Sequence, residues 1–238
     1  MRAPYGLKIL DNCVSCPVKT MRPFCNLPLA AAQRLNAITS TAVYPKGAML
    51  FIEGQRPRGV FVLCTGKAKL STSSREGKTV ITKLAEAGDI LGLNATISNV
   101  PYEVTAEMME PAQANFIPQQ ALTTMVQEFP EVALRIAGQL SRNYFVAHEE
   151  IRTLGLAMSP AERLAKLLLQ WSIQTTHNNG ALRIRMTLTQ SEIAEVIGTT
   201  RETVARVFAD FRRKRLLQVL GTTLVIHSRL ALEQLVRS

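Results

Sequence analysis

The sequence predicts an α+β chain with a small antiparallel β-barrel first, then one long helix, then a pair of helices closed by a β-hairpin. Three observations carry this. Short apolar segments between residues 47 and 84 are separated by the turn signals Lys46-Gly47, Thr65-Gly66 and Glu76-Gly77. From Glu131 to about Leu156 there is no proline, and apolar residues recur every three or four positions. Two capped helical stretches then flank the break Ile197-Gly198-Thr199.

The totals narrow the class. A chain of 238 residues can bury one large core or two modest ones, and an apolar content of 47% argues against disorder. The net charge of +10 points to a polyanion, either nucleic acid or a membrane surface. No apolar run reaches the roughly 18 residues of a spanning helix. The start MRAPYGLKILDNC has no secretory h-region. A cytoplasmic protein is therefore expected, with cysteines as thiols or metal ligands rather than disulfides.

Residues 1–28 form a cysteine-containing segment with Cys13, Cys16 and Cys25. A C-x2-C pair can grip one metal or one edge of a cluster, and a third thiol nearby extends the set. The fourth position is open, because Cys64 ends the apolar strand VFVLC and reads as a small buried hydrophobe. An iron–sulfur cluster completed by Cys64 or by a non-cysteine ligand, a zinc site, a thiol redox switch and an empty remnant all fit these residues. A redox enzyme fits less well, since no βαβ pattern or acid–base partner accompanies Cys13 and Cys16.

Residues 29–130 make the barrel domain. A short helix over 29–40 leads into strands at 47–52, 59–64, 67–70 and 79–84, followed by a helix at 119–128. Residues 131–158 are the long helix and a hinge. Val132, Ile136, Leu140, Tyr144, Ala147, Ile151 and Leu154 form a narrow seam, which predicts pairing with the same helix of a second chain. Gly155-Leu156-Ala157-Met158 breaks the pattern. Ser159-Pro160-Ala161-Glu162 then restarts a helix with N-cap, N1 proline and N3 carboxylate, opening the last domain at 159–238.

That domain holds twelve Lys or Arg against six Asp or Glu. Thr189 and Glu192 make a capping-box pattern, and Thr200 is a plausible N-cap for the second helix. Val204, Val207, Phe208 and Phe211 fall on one apolar face, leaving Arg201, Glu202 and Arg206 on the other. An exposed arginine at a helix start suits guanine in the major groove, and a carboxylate suits cytosine. The expected DNA contacts are Thr189, Thr200, Arg201, Glu202, Thr203 and Arg206, with Arg212 and Arg213 from the basic run that ends the helix. Residues 219–226 read as a hairpin wing.

Thr189-Gln190-Ser191-Glu192-Ile193-Ala194 and Arg201-Glu202-Thr203-Val204-Ala205-Arg206 resemble the winged helix-turn-helix of the Crp/Fnr family of bacterial transcription regulators. The turns Pro45-Lys46-Gly47, Glu53-Gly54, Thr65-Gly66 and Gly88-Asp89-Ile90-Leu91-Gly92 resemble that family's cyclic-nucleotide-binding, cupin-like barrel. The resemblance implies a homodimer that is not an enzyme. It implies binding to double-stranded DNA at an inverted repeat, with Arg201, Glu202 and Arg206 reading a TGTGA-type half-site. RNA polymerase is an implied partner, met near the loop His177-Asn178-Asn179-Gly180.

The sensor departs from both family branches. Cyclic-AMP receptors place a glutamate after the G-D-x-x-G turn and an Arg-Ser pair beyond it, where this chain has Leu93 and Tyr102-Glu103-Val104-Thr105. Cyclic AMP is not expected, nor is haem, since His148, His177 and His227 all lie outside the barrel. Fnr-type oxygen sensors carry an N-terminal cysteine cluster and a fourth cysteine on the barrel. Asn115 stands at that fourth position here, and the gap from Cys16 to Cys25 is longer than in those sensors. The resemblance makes an iron–sulfur cluster one candidate cofactor and leaves the effector itself open. A thiol or iron–sulfur redox protein and a constitutive DNA-binding protein are the competing readings.

Overall fold

One strand, β3 (Gly59–Leu63), organises the N-terminal half, because its apolar run is covered on both faces. The computed structural model describes residues 4–155, 158–173 and 182–237. Internal contacts divide the chain into Met1–Ala147 and His148–Ser238, and the division falls within one long helix.

The first unit begins with α1 (Leu29–Ile38), β1 (Ser40–Tyr44) and β2 (Met49–Phe51), ahead of β3. After β3 come β4 (Lys67–Ser73), β5 (Thr79–Glu86), β6 (Ile90–Leu91) and the short helix α2 (Leu93–Ser98). Strands β7 (Thr105–Met108) and β8 (Ala112–Pro118) precede the helices α3 (Gln119–Glu128) and α4 (Pro130–Gly155). Two four-stranded antiparallel sheets result, ordered β1-β8-β3-β6 and β2-β7-β4-β5, so the expected barrel is a flattened sandwich.

Successive side chains of a strand point to opposite faces, and β3 uses both. Leu63 joins Phe51, Leu91, Tyr102, Met108 and Ala114 between the two sheets. Val60 and Val62 face the other way, into a second core with Phe24, Leu35, Ile117, Leu122, Val132 and Ile136. The cysteine segment is therefore part of this unit's core rather than a separate tail, with Phe24 fully buried.

The predicted dimer seam needs correction. Val132 and Ile136 are buried in their own domain's core, and Leu140 packs against it half-covered. Tyr144, Ala147 and Ile151 are exposed, while the side chain of Leu154 lies outside the described set. The first turns of α4 are further tied to the sandwich by polar contacts. Buried Gln139 donates to Asp89 at 3.3 Å, and Lys83 donates to Asn143 at 3.1 Å and pairs with Asp89 at 3.2 Å. The exposed face instead carries Leu134, Ala137, Ser141, Tyr144, His148 and Ile151, stepping three, four, three, four, three. Phe145 flanks this row, and Leu134 and Phe145 are 73% and 67% exposed.

The second unit contains α5 (Pro160–Ile173), β9 (Leu182–Arg185), α6 (Gln190–Ile197) and α7 (Arg201–Arg213). The hairpin β10 (Leu217–Leu220) and β11 (Thr223–Ile226) and a closing helix α8 (Arg229–Arg237) complete it. The hairpin pairs with β9 in the order β10-β11-β9, and α5 packs against α7 and α8. The capping box expected at Ser159 forms, with Glu162 accepting from Ser159 N at 3.0 Å and Ser159 Oγ accepting from Glu162 N at 3.3 Å. Two features named from the sequence, Leu156-Ala157 of the hinge and the loop 177–180, lie outside the described residues.

Candidate functional site

Two constellations stand out, one on each unit. In the second, burial orients α7. Val204, Phe208 and Phe211 are fully packed and Val207 half-covered, so Arg201, Glu202, Ala205 and Arg206 all face outward. Arg201 and Arg206 are five residues apart, roughly 7.5 Å along the axis at 1.5 Å per residue, close to the rise of two base pairs.

The entry to that helix is fixed by caps. Thr189 Oγ1 accepts from Glu192 N at 3.2 Å while Glu192 Oε2 accepts from Thr189 N at 2.9 Å. Gly198, in the left-handed region at φ 63°, ends α6, and Thr200 Oγ1 accepts from Thr203 N at 3.3 Å to start α7. The hydroxyls of Thr189 and Thr200 thus already serve the backbone.

At the far end, Asp210 pairs with Arg213 at 2.5 Å and Lys214 at 2.8 Å. These bonds, with the Lys214 contact leading, hold the Asp210 carboxyl below its ordinary range. Arg212 is exposed in the same last turn, where cations also complement the helix dipole. Arg183 and Arg185 were missed in the sequence. They alternate with buried Leu182 and Ile184 on edge strand β9 and point outward. The L-R-I-R alternation was the available signal.

The first unit gathers the cysteines. Cys13, Cys16, Cys25 and Cys64 line one cavity together with Arg22 and Asn115, with an empty volume of about 410 Å³ that is partly open to solvent. The N-terminal segment is docked there by named bonds. Leu10 N donates to Gln113 Oε1 at 2.7 Å, Gln113 Nε2 donates back to Leu10 O at 2.6 Å, and Cys13 N donates to Asn36 Oδ1 at 2.9 Å. The long gap after Cys16 is taken up by a tight turn at Lys19–Met21 and by the bond from Asn26 N to Arg22 O at 3.1 Å, which returns Cys25 to the cavity.

Cys64 is buried, as expected, and it lines the cavity with the other three thiols, one of the placements the sequence left open. Its N donates to Gln113 O at 2.8 Å, and it follows Val62 by two residues, so it shares the face of β3 and β8 that carries Val62 and Asn115. Burial raises the Cys13 thiol, pushes Cys25 up to about 11 and pushes Cys64 up to about 12. Neighbouring thiols add to each rise, while Arg22 opposes it at Cys25 and Cys64. Among the described residues, no three Cys, His, Asp or Glu side chains converge tightly enough to grip one ion as they stand, so the thiols ring a space rather than meet at a point.

Where the resemblance calls for nucleotide contacts, Leu93 and Tyr102 are buried core side chains. Tyr102 is 5% exposed, stacks on Phe51 at 4.0 Å between centroids, and donates its hydroxyl to Gly59 O at 2.8 Å. Gly92 is left-handed at φ 75°, and a Cβ there would stand 2.6 Å from the Tyr102 ring. Glu103 accepts from Asn94 Nδ2 at 3.2 Å.

Comparison with known proteins agrees with this two-part layout. Residues 162–235 match the family model of the Crp-like helix-turn-helix domain, and residues 41–129 that of the cyclic nucleotide-binding domain. A CRP-like cAMP-activated global transcriptional regulator of Mycobacterium tuberculosis is 27% identical over 184 residues, covering 77% of this chain and 82% of that protein. The fumarate and nitrate reduction regulatory protein of Yersinia pestis is 26% identical over 226 residues, covering 94% and 90%. The structure of FixK2 from Bradyrhizobium japonicum shares the fold with a TM-score of 0.73 at 20% identity, covering 83% of this chain and 97% of that one. No helix among the described residues is long and apolar enough to cross a membrane.

The docking bonds of Leu10 give a testable consequence. Gln113→Ala removes both and leaves Leu10 N and O without that partner, at about 1 kcal/mol per bond. Cleavage by trypsin within residues 8–22 is expected to speed up by roughly tenfold or more, through easier local opening. An unchanged rate would mean that the segment is held by other contacts.

Proposed function

Because this chain belongs to the Crp/Fnr family of transcription regulators, we propose that it acts as a homodimer that reads an inverted repeat in duplex DNA through α7 and takes its signal at the thiol-lined cavity. The observation that carries the DNA reading is the outward face of α7. Arg201, Glu202 and Arg206 are exposed, and no ion pair among the described residues engages them. A guanidinium held this way can donate two parallel bonds to guanine, and a carboxylate can accept from cytosine. Arg183, Arg185 and Arg212 supply phosphate contacts that carry no sequence information. Arg213 joins them by exchanging Asp210 for a phosphate.

The dimer is assigned to the row Leu134, Ala137, Ser141, Tyr144, His148 and Ile151 on α4, with Phe145 beside it. Its spacing is that of a coiled-coil seam, and small Ala137 and Ser141 allow close approach. A two-fold pair of α7 helices then fits half-sites about one DNA turn apart. RNA polymerase is the partner such a promoter-bound dimer would meet.

The effector is read as a group bound by thiols rather than cyclic AMP, whose expected contacts are replaced by buried Tyr102 and by Leu93. The route from cavity to dimer is short. Cys13 and Cys25 pack against the same core as Val132 and Ile136 of α4, and Arg135 donates to Asn26 O at 3.1 Å, next to Cys25. A change at the cavity is therefore positioned to bias the arrangement of α4, which is what a population shift requires.

Two outcomes follow. Arg201→Ala loses about 1–3 kcal/mol of discrimination between its half-site and a variant lacking the guanine, while binding to random duplex is retained. An equal loss on both duplexes in a mobility-shift titration would remove the base-reading role. Phe145→Glu buries a carboxylate in the seam and yields a folded monomer by sedimentation, with operator affinity reduced by about 100-fold or more as paired binding is lost. A Phe145→Glu protein that stays dimeric would place the seam elsewhere.

A further inference from the structure

The four cysteines and their neighbours define a ligand set that neither charge nor spacing in the chain alone reveals. We propose that Cys64 is the fourth ligand of an iron–sulfur cluster held by Cys13, Cys16 and Cys25, seated between the N-terminal segment and the β3–β8 face of the sensor domain. This rests on the reading that the thiol cavity is the signal site, and it adds which residue completes the set.

Residues two apart on a strand share a face, so Cys64 extends the row of Val60 and Val62, against which α1 and the cysteine segment pack. On the adjacent strand, Asn115 lies opposite Val62 and Gln113 opposite Cys64, which makes Asn115 and Cys64 diagonal neighbours facing one cavity. A sulfur on Cys64 thus reaches the same space as a side chain at position 115, from one strand over.

Asn115 is already committed. Its Oδ1 accepts from Thr41 Oγ1 at 3.0 Å, and its Nδ2 donates to Cys13 Sγ at 3.7 Å. A neutral amide is a poor ligand for iron beside thiolates, but it is a good hydrogen-bond donor to a ligating sulfur, the kind of contact that tunes a centre. By contrast, the hydrogen bond of Cys64 Sγ among the described residues is a weak one of 3.7 Å, to Val62 O.

The surroundings fit a cluster better than one ion. Leu10, Leu35 and Val62 supply apolar wall, and Arg22 is the cationic side chain on the lining, set to offset negative charge. A single zinc ion requires four sulfurs within one tetrahedron at Zn–S distances of about 2.3 Å. Thiols spread around a cavity suit a polynuclear core, in which each thiolate takes its own iron or shares one edge. On binding, each thiol gives its proton to solvent and its sulfur bonds iron.

The test is chemical analysis of full-length protein purified without oxygen from iron-replete cells, comparing wild type with Cys64→Ala, Asn115→Ala and the double variant Cys64→Ala/Asn115→Cys. Wild type is expected to hold iron and acid-labile sulfide in equal amounts, about two to four of each per chain, with a broad visible absorption. Cys64→Ala, an apolar replacement at a buried position, should lose about 80% or more of both while keeping its far-ultraviolet circular dichroism. Asn115→Ala should keep most of its iron, and the double variant should regain it, because position 115 opens on the same cavity. Wild-type iron and sulfide in a folded Cys64→Ala protein would overturn the assignment, as would zinc without sulfide in wild type. Cluster content is read without DNA, so its failure is distinguishable from failure of the signal-site reading, which is tested by operator affinity of the same variants.

Discussion

The buried side of α7 is the constraint on which the function depends. Val204, Phe208 and Phe211 contribute roughly 1.5–3 kcal/mol each by leaving water, far more than any single exposed charge can return. That imbalance fixes the helix's rotation about its axis, and with it the direction of Arg201, Glu202 and Arg206. The caps at Thr189 and Thr200 and the left-handed Gly198 then fix where the helix begins. In the proposed function, base reading by α7 depends on packing that itself never touches DNA.

The sensor half follows the same logic with a sheet in place of a helix. Because β3 is covered on both sides, its alternation sorts Leu63 into the sandwich and Val60, Val62 and Cys64 toward the α1 side. The second core is shared by the cysteine segment and the first turns of α4. The segment and the helix that carries the exposed row from Leu134 to Ile151 therefore rest on the same buried side chains. The polar ties of Gln139, Lys83 and Asp89 keep α4 on its domain, so the row available to a second chain is the opposite one.

Much of this was legible in the chain. Caps, turn glycine and apolar stripe identified α6 and α7 because each is a local signal with a local cause. The long helix was legible as a helix, but its seam was not. Val132 and Ile136 have the right spacing for a partner, yet that spacing equally serves a core, and periodicity cannot tell a neighbour within the chain from one outside it. The alternative row contains Ala137, Ser141 and His148, too polar to stand out by hydrophobicity. Strands β1, β7 and β8 were also missed as strands, since segments such as Ser40–Tyr44 are too polar to announce a strand, and short α2 escaped notice. Cys64 was read correctly as buried, but the sequence left open whether it joins the other three thiols. Its parity with Val62 was visible, but the pairing of β3 with β8 that gives parity its meaning is a long-range fact.

The central claim is that a two-fold pair of α7 helices reads duplex DNA. It is tested most directly by selecting bound sequences from a pool of random duplexes with the wild-type protein. The account predicts an inverted repeat whose half-sites contain guanines and have centres about 10–10.5 base pairs apart. Enrichment of single, unpaired half-sites, or no enrichment at a salt concentration where the protein still binds, would contradict it.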